Sequence, residues 1–223
     1  MINAVTLLRR KPGLSVEEFQ RYWRHEHAGV IARLPGVQRY VQSHPLDENY
    51  ADREPVFDGF AELWARDSQA FRDIAASEAY AAVLADEGKF LDRTANALVL
   101  TDEHVIKRGA VAVNAVKCIR FFSRRPDMPV EKFQACWRDA YGPLMATLPS
   151  LDRYAQYHAR LGGYAHGRQP AYDGFDIYWF ESTEALRAAM DSPTHGRGRE
   201  EERNFLAAGD RPQILAGECV IIG

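Results

Sequence analysis

Two histidines and the polar residues near them are the part of this sequence best suited to chemistry. In the stretch VEEFQRYWRHEHAGVIARLPGVQRYVQSH (residues 16–44), Phe19, Trp23, His27, Val30, Ile31 and Leu34 recur at the spacing of one helical face. His27 therefore lies on the stripe expected to face a core. His25, about 200° around the helix at ~100° per residue, is expected to face solvent. A Leu34-Pro35-Gly36 break releases a strand in which Tyr40, Gln42 and His44 share one face. An imidazole exchanges a proton near neutral pH, and burial or a nearby carboxylate moves its pKa across that range. His27 can thus serve as a general base and His44 as a proton donor or orienting group. Tyr40 and Gln42 can hydrogen-bond a carbonyl oxygen on which charge develops. Trp23 and Asp58 complete the candidate substrate-binding set.

Each of these residues also has a plain structural use. His27 can be a core histidine satisfied by the backbone, and His44 a strand-end residue in contact with water. Asp58 precedes Gly59 and suits a turn or bulge as well as it suits a carboxylate orienting a histidine. Trp23 suits a core better than a stacking platform.

The stretch occurs twice. In VEKFQACWRDAYGPLMATLPSLDRYAQYH (residues 130–158), Phe133, Trp137, Leu148, Pro149, Tyr154, Gln156 and His158 each follow their first-copy counterparts by 114 positions. Tyr141 answers His27, and Asp139 answers His25. Further on, Phe57-Asp58-Gly59-Phe60 returns as Tyr172-Asp173-Gly174-Phe175, and Phe90-Leu91 as Phe205-Leu206, now 115 apart. The second-copy equivalents of the site are Tyr141, Tyr154, Gln156, His158 and Asp173. Copies of about a hundred residues are of ordinary domain size. Boundaries are expected at 1–110 for the first half and 111–223 for the second, more divergent half.

Composition narrows the field. With 46% hydrophobic and 26% charged residues the chain is ordinary for a globular protein. A net charge of −3 gives no basic stripe for nucleic acid. Without a signal-peptide pattern or a run of ~20 apolar residues, a cytoplasmic protein with no membrane partner is expected. Cys118, Cys136 and Cys219 are isolated, which suits a reduced compartment. His25 and His27 point apart, and neither H-x-x-x-H nor H-E-x-x-H occurs, so no metal site is expected. No glycine-rich loop indicates a nucleotide, so no cofactor is expected.

Each copy reads as strand, helix, strand, strand, helix, strand, with the second helical region broken. Ser15 with Glu18 forms a capping box, and Asp67 and Ser77 each open a further helix. Asp127-Met128-Pro129 reads as a capping residue and an early-turn proline. Residues 45–55 form a polar loop, expected as a lid or hairpin tip. Pro193, Gly196 and Gly198 predict a disturbed or shortened last helix in the second copy. The element order gives an antiparallel sheet with helices on one face. The fold class is therefore α+β: two ferredoxin-like halves with sheets packed face to face.

RRKPGLSVEEFQRYWRHEHAGVIARLPGVQRYVQSH, FDGFAELW and KFLDRTANALVLTDEHVI resemble the EthD domain, a branch of the dimeric α+β barrel superfamily. The resemblance covers nearly the whole chain, once per copy. Family members usually pair two chains, and this chain looks like that pair fused; a further homodimer is left open. The family's motif places a histidine late in the first helix and another at the end of the next strand, matching His27 and His44. The second copy keeps only His158.

The resemblance implies dehydration, cyclisation or isomerisation of small hydrophobic or aromatic carbonyl compounds, in catabolism or polyketide-type metabolism. The expected protein is a cofactor-free lyase or isomerase. The alternatives are a non-catalytic small-molecule binding module and, as in distant relatives, a haem or oxygen-using enzyme with His27 as axial ligand.

Overall fold

The computed structural model describes residues 1–209 and 211–223. The chain divides into two compact units, one of Met1–Leu100 with Glu218–Gly223, the other of Thr101–Gly217. Both are α+β.

In the first unit β1 (Ile2–Leu8) and β2 (Val37–Pro45) flank β3 (Gly59–Ala65), all antiparallel. Between β1 and β2 run α1 (Val16–Tyr22), a π-helical turn (Trp23–His27) and α2 (Ala28–Ile31). Ser15 caps α1 through the expected box with Glu18. After β3 come α3 (Ser68–Ala76) and α4 (Glu78–Phe90), capped by Asp67 and Ser77, then β4 (Ala97–Lys107). Helix and sheet meet in a core of Phe19, Trp23, Leu34, Tyr40, Ala61 and Phe90, against which Ile221 and Ile222 also pack. A strand end from late in the sequence therefore finishes the first core.

In the second unit β5 (Val116–Phe122) pairs with β7 (Gly174–Phe180) and with the first half of β8 (Gln213–Ile222). β7 pairs with β6 (Leu151–Ala159), and β6 with Thr101–Lys107 of β4. The helices are α5 (Val130–Cys136), a second π turn (Trp137–Tyr141), α6 (Gly142–Met145), α7 (Thr183–Met190) and α8 (Pro193–Phe205).

Four local expectations need correction. The first helix is not one regular helix: a π turn widens it at the same place in both units. α8 is neither short nor broken, at 13 residues like α4. Pro193 occupies its first turn behind the Ser192 cap, where no N–H is needed. Gly198 lets Met145 pack closely; a Cβ there would collide with the Met145 sulfur. α5 begins after Pro129 with no side-chain cap, so Asp127 does not cap it. The 45–55 loop joins the antiparallel pair β2 and β3 as a hairpin tip does, and it is pinned, since Tyr50 donates to Asp58 and Arg10 holds Glu54. That is not the freedom a lid needs.

The Asp-Gly-Phe motif has a packing cause. A Cβ at Gly59 would lie 2.7 Å from the Trp23 ring, and one at Gly174 2.6 Å from Trp137. Only glycine lets the indole lie on the strand.

Candidate active site

Residues 23–27 set the site's geometry. The π turn opens the Trp23 carbonyl to an extra donor, and Gln42 Nε2 supplies it from β2 at 2.8 Å. Gln156 does the same for the Trp137 carbonyl at 3.0 Å. Gln42 Nε2 also donates to the Tyr40 hydroxyl, and Gln42 Oε1 lies 2.9 Å from His44 Nε2. With both amide hydrogens donated, Gln42 Oε1 is the acceptor, so His44 carries its proton on Nε2. Gln42 is thus fully engaged in tying helix to strand, and is not free to bind a carbonyl as expected.

Of the two roles expected of His44, proton donor or orienting group, its surroundings fit the second. Its ring packs on Trp23, and burial lowers its pKa to about 3. A ring that stays neutral at pH 7 with its one proton given to Gln42 positions its neighbours; it does not serve as an acid. His158 repeats the arrangement, stacked on Trp137 with Nε2 at 3.0 Å from Gln156 Oε1. Burial lowers its pKa to about 2. Trp23, fully buried, donates to Tyr40 and belongs to the core.

His27 points inward and is 4% exposed, while His25 faces solvent. Its Nδ1 lies 2.8 Å from Asp86 Oδ2. Burial alone would raise the Asp86 pKa, but hydrogen bonds from Lys89, Tyr22 and His27 outweigh it and bring it to about 2. An ionised Asp86 fixes the proton of neutral His27 on Nδ1. Burial lowers the His27 pKa, with Asp86 opposing the shift. Nε2 then holds a lone pair and has no hydrogen-bond partner among the described residues. A carboxylate behind an imidazole with its far nitrogen unengaged is the arrangement of a general base.

Asp86 is absent from the residues that spacing singled out. Its signal is its register: Val83, Asp86 and Phe90 are all buried on one face of α4, an acid in an apolar stripe. Glu87, the next residue, is partly buried, and burial raises its pKa. Asp58, by contrast, serves neither histidine. It is buried and accepts from the Arg10 backbone and guanidinium and from Tyr50. Asp173 does the same with Arg124 and Tyr164.

In the second unit Tyr141 takes the His27 position and is buried, while Asp139 is exposed. Its hydroxyl donates to Glu202 at 3.0 Å and accepts from Arg120 at 2.8 Å. Glu202 is also held by Arg120 at 2.8 Å and by Arg211. Asp176 accepts from Trp137, Tyr154 and Tyr178 at 2.9, 2.6 and 2.7 Å. Burial raises its pKa to about 6 despite Arg120. Burial likewise holds Tyr141 well above its ordinary value, so it is no base at neutral pH. Arg120, Glu202, Asp176 and Tyr178 escaped sequence reasoning because each sits in an otherwise apolar strand or a charged helix.

The fold and site define a class: ferredoxin-like α+β proteins with a buried histidine at a helix kink. The EthD domain model matches residues 11–94 and again 125–209, and the chain belongs to that family. Among solved structures the chain is similar to an anthrone oxidase-like protein, at 13% identity over 99% of this chain and 93% of that one, TM-score 0.71. It is also similar to a variant chlorite dismutase from Candidatus Nitrospira defluvii, at 11% identity over 99% and 92%, TM-score 0.55. At these identities the likeness is one of fold. No curated protein matches. Among the described residues no helix is long and apolar enough to cross a membrane.

Proposed function

We propose that the first unit binds a small hydrophobic or aromatic carbonyl compound and moves a proton next to its carbonyl, as a cofactor-free lyase or isomerase. The observation that carries this is the Asp86–His27 pair with Nε2 unengaged, present in one unit and replaced by Tyr141–Glu202 in the other. Nε2 takes the proton from the α-carbon. The C–H electron pair becomes the enolate double bond, and the carbonyl π pair moves onto oxygen. Tyr40, whose pKa burial raises to about 12, keeps its proton and donates it as a hydrogen bond to that oxygen. Asp86 stabilises the imidazolium. The proton then returns to another carbon in an isomerisation, or leaves with a β-hydroxyl as water in a dehydration.

The names of the similar structures, an oxidase-like protein and a dismutase, support an enzyme of this fold without fixing its chemistry. Three free cysteines fit a cytoplasmic setting. The test is deuterium uptake from D2O into a panel of enolisable aryl ketones, followed by mass spectrometry. His27-dependent uptake supports the reading. Binding without uptake leaves a binding module, and an intense absorbance band near 400 nm in the purified protein would sink the cofactor-free reading in favour of haem.

A further inference from the structure

The buried His27–Asp86 pair is held from its outer side by two residues that the proposed chemistry does not use. Asp86 turns one carboxylate oxygen each way. Oδ2 meets His27 Nδ1 at 2.8 Å, while Oδ1 accepts from the Tyr22 hydroxyl at 2.7 Å and from Lys89 Nζ at 2.9 Å. Tyr22 ends α1 and Lys89 stands in the last turn of α4, so two helices grip one carboxylate. Phe90 backs the arrangement, with its ring 5.1 Å from that of Tyr22 and 4.8 Å from that of His27.

All four polar residues differ in the copy without the imidazole. Tyr22, His27, Asp86 and Lys89 are answered by Cys136, Tyr141, Glu201 and Asn204, 114 or 115 positions on. Glu201 and Asn204 bond each other in the open at 2.9 Å. The carboxyl that meets Tyr141 is Glu202, one residue further along α8. The outer donors are thus found with the histidine and not with the tyrosine.

What binds Oδ1 changes what Oδ2 offers. A carboxylate shared among three donors presents less charge to each, and a cation beside it offsets its field at the imidazole. Tyr22 and Lys89 therefore make protonation of His27 less favourable than a bare carboxylate would. Both stay donors: burial and then the Asp86 hydrogen bond raise the Tyr22 pKa, and that hydrogen bond raises the Lys89 pKa. Other charged groups nearby are placed differently. Glu87 on α4 pairs with Arg93 at 3.9 Å, and the Tyr40 hydroxyl on β2 accepts from Trp23 and Gln42. Tyr22 and Lys89 border an open groove of about 550 Å³. Glu18, Arg21, His25 and Glu26 line it too; Glu18 is committed to the Ser15 cap, and among the described residues none of these bonds Asp86.

Resting on the function proposed above, we infer that Tyr22 and Lys89 are the positioning residues of the base. They aim Asp86 at His27 and, by sharing its charge, keep the imidazole unprotonated and ready to accept a proton at neutral pH. A grip that was only structural predicts the opposite response to its loss. A released carboxylate would leave Nδ1, and His27 would become harder to protonate.

Proton NMR of the imidazole rings, titrated from about pH 4.5 to 8, separates the two, with the His27 signal assigned by its loss in His27→Gln. Tyr22→Phe and Lys89→Met should each raise the His27 midpoint by about half a unit, and Asp86→Asn should lower it by at least about half a unit. In the first two variants the acid limb of the deuteration rate should move up in pH by the same amount. A midpoint that falls or stays in place in either Tyr22→Phe or Lys89→Met would overturn the inference. Circular dichroism checks the fold, and should one of the two variants not fold, the other carries the test. The NMR readings need no turnover. The expected shifts in a protein that exchanges no ketone deuterium would leave the inference standing and the catalytic reading fallen.

Discussion

The first and second units share their irregularities and differ in their contents. Both widen the first helix into a π turn at a tryptophan, and both send a strand glutamine to that tryptophan's carbonyl. Both shift strand register one residue into the second strand, between Val37 and Arg39 and between Leu151 and Arg153. Features that look like functional distortion therefore belong to the fold, because the unit with Tyr141 in place of His27 keeps them all. The difference is confined to a few side chains. One unit holds the buried His27–Asp86 pair; in the other Tyr141, Arg120, Asp176, Tyr178 and Glu202 form a buried ionic network. One copy has a histidine–carboxylate pair at these positions, the other a larger charged set.

The largest expected effect tests the functional side of that contrast. His27→Ala should slow deuterium incorporation by roughly 10²–10⁴, the usual contribution of a general base. Tyr141→Phe should leave the rate unaltered. Equal losses in both variants would show that the units do not divide the work.

The sealed network offers the next effect. Arg120→Met leaves Glu202 and Asp176 buried without that partner, so the loss should be about 3–5 kcal/mol, the range for a broken buried ion pair. Thr6→Met at the matching place, partly open, should cost no more than about 1.5 kcal/mol. Urea unfolding of the two variants compares them, and a small loss for Arg120→Met would show the network to be dispensable.

Acid should act on both units alike. His44 and His158 are held neutral, with pKa values of about 3 and about 2 against an ordinary 6.5. The unfolded chain takes up these protons first, so stability is full above pH 6.5 and falls as the pH drops from there towards 3. Between pH 6.5 and 5 each ring should cost about 2 kcal/mol. In unfolding curves taken across this window, His158→Gln should remove about 2 kcal/mol of the change; an unchanged slope would mean that the second ring is not held neutral.

The smallest effect concerns helix starts. Ser15→Ala should cost about 1 kcal/mol through the lost capping box. Asp127→Ala in the other copy should cost nearly nothing, since α5 has no side-chain cap. Thermal melts resolve this difference, and equal shifts would refute it.

Much of this was legible beforehand. The 114-residue repeat, the element order, the caps at Ser15, Asp67 and Ser77, and the inward His27 all follow from short-range periodicity and local hydrogen bonding. The π turn was not, because a widened turn leaves Trp23 and His27 on the same face as a regular one does. The intact α8 was misjudged because proline and glycine propensities are weak beside tertiary packing, here Gly198 on Met145.

What the sequence alone determined is the scaffold: two copies of one α+β unit with an imidazole on the inward face of one first helix and a phenol on that of the other. What only the tertiary structure decided is which groups meet. Asp86 is 59 residues from His27 and Glu202 is 61 from Tyr141. Nothing local ties one member of a pair to the other. Asp58, which the sequence left between a turn device and a carboxylate orienting a histidine, is held by Arg10. Spacing along one element fixes a side chain's face, but its partner comes from another element, and docking of α4 or α8 onto the first helix settles that choice.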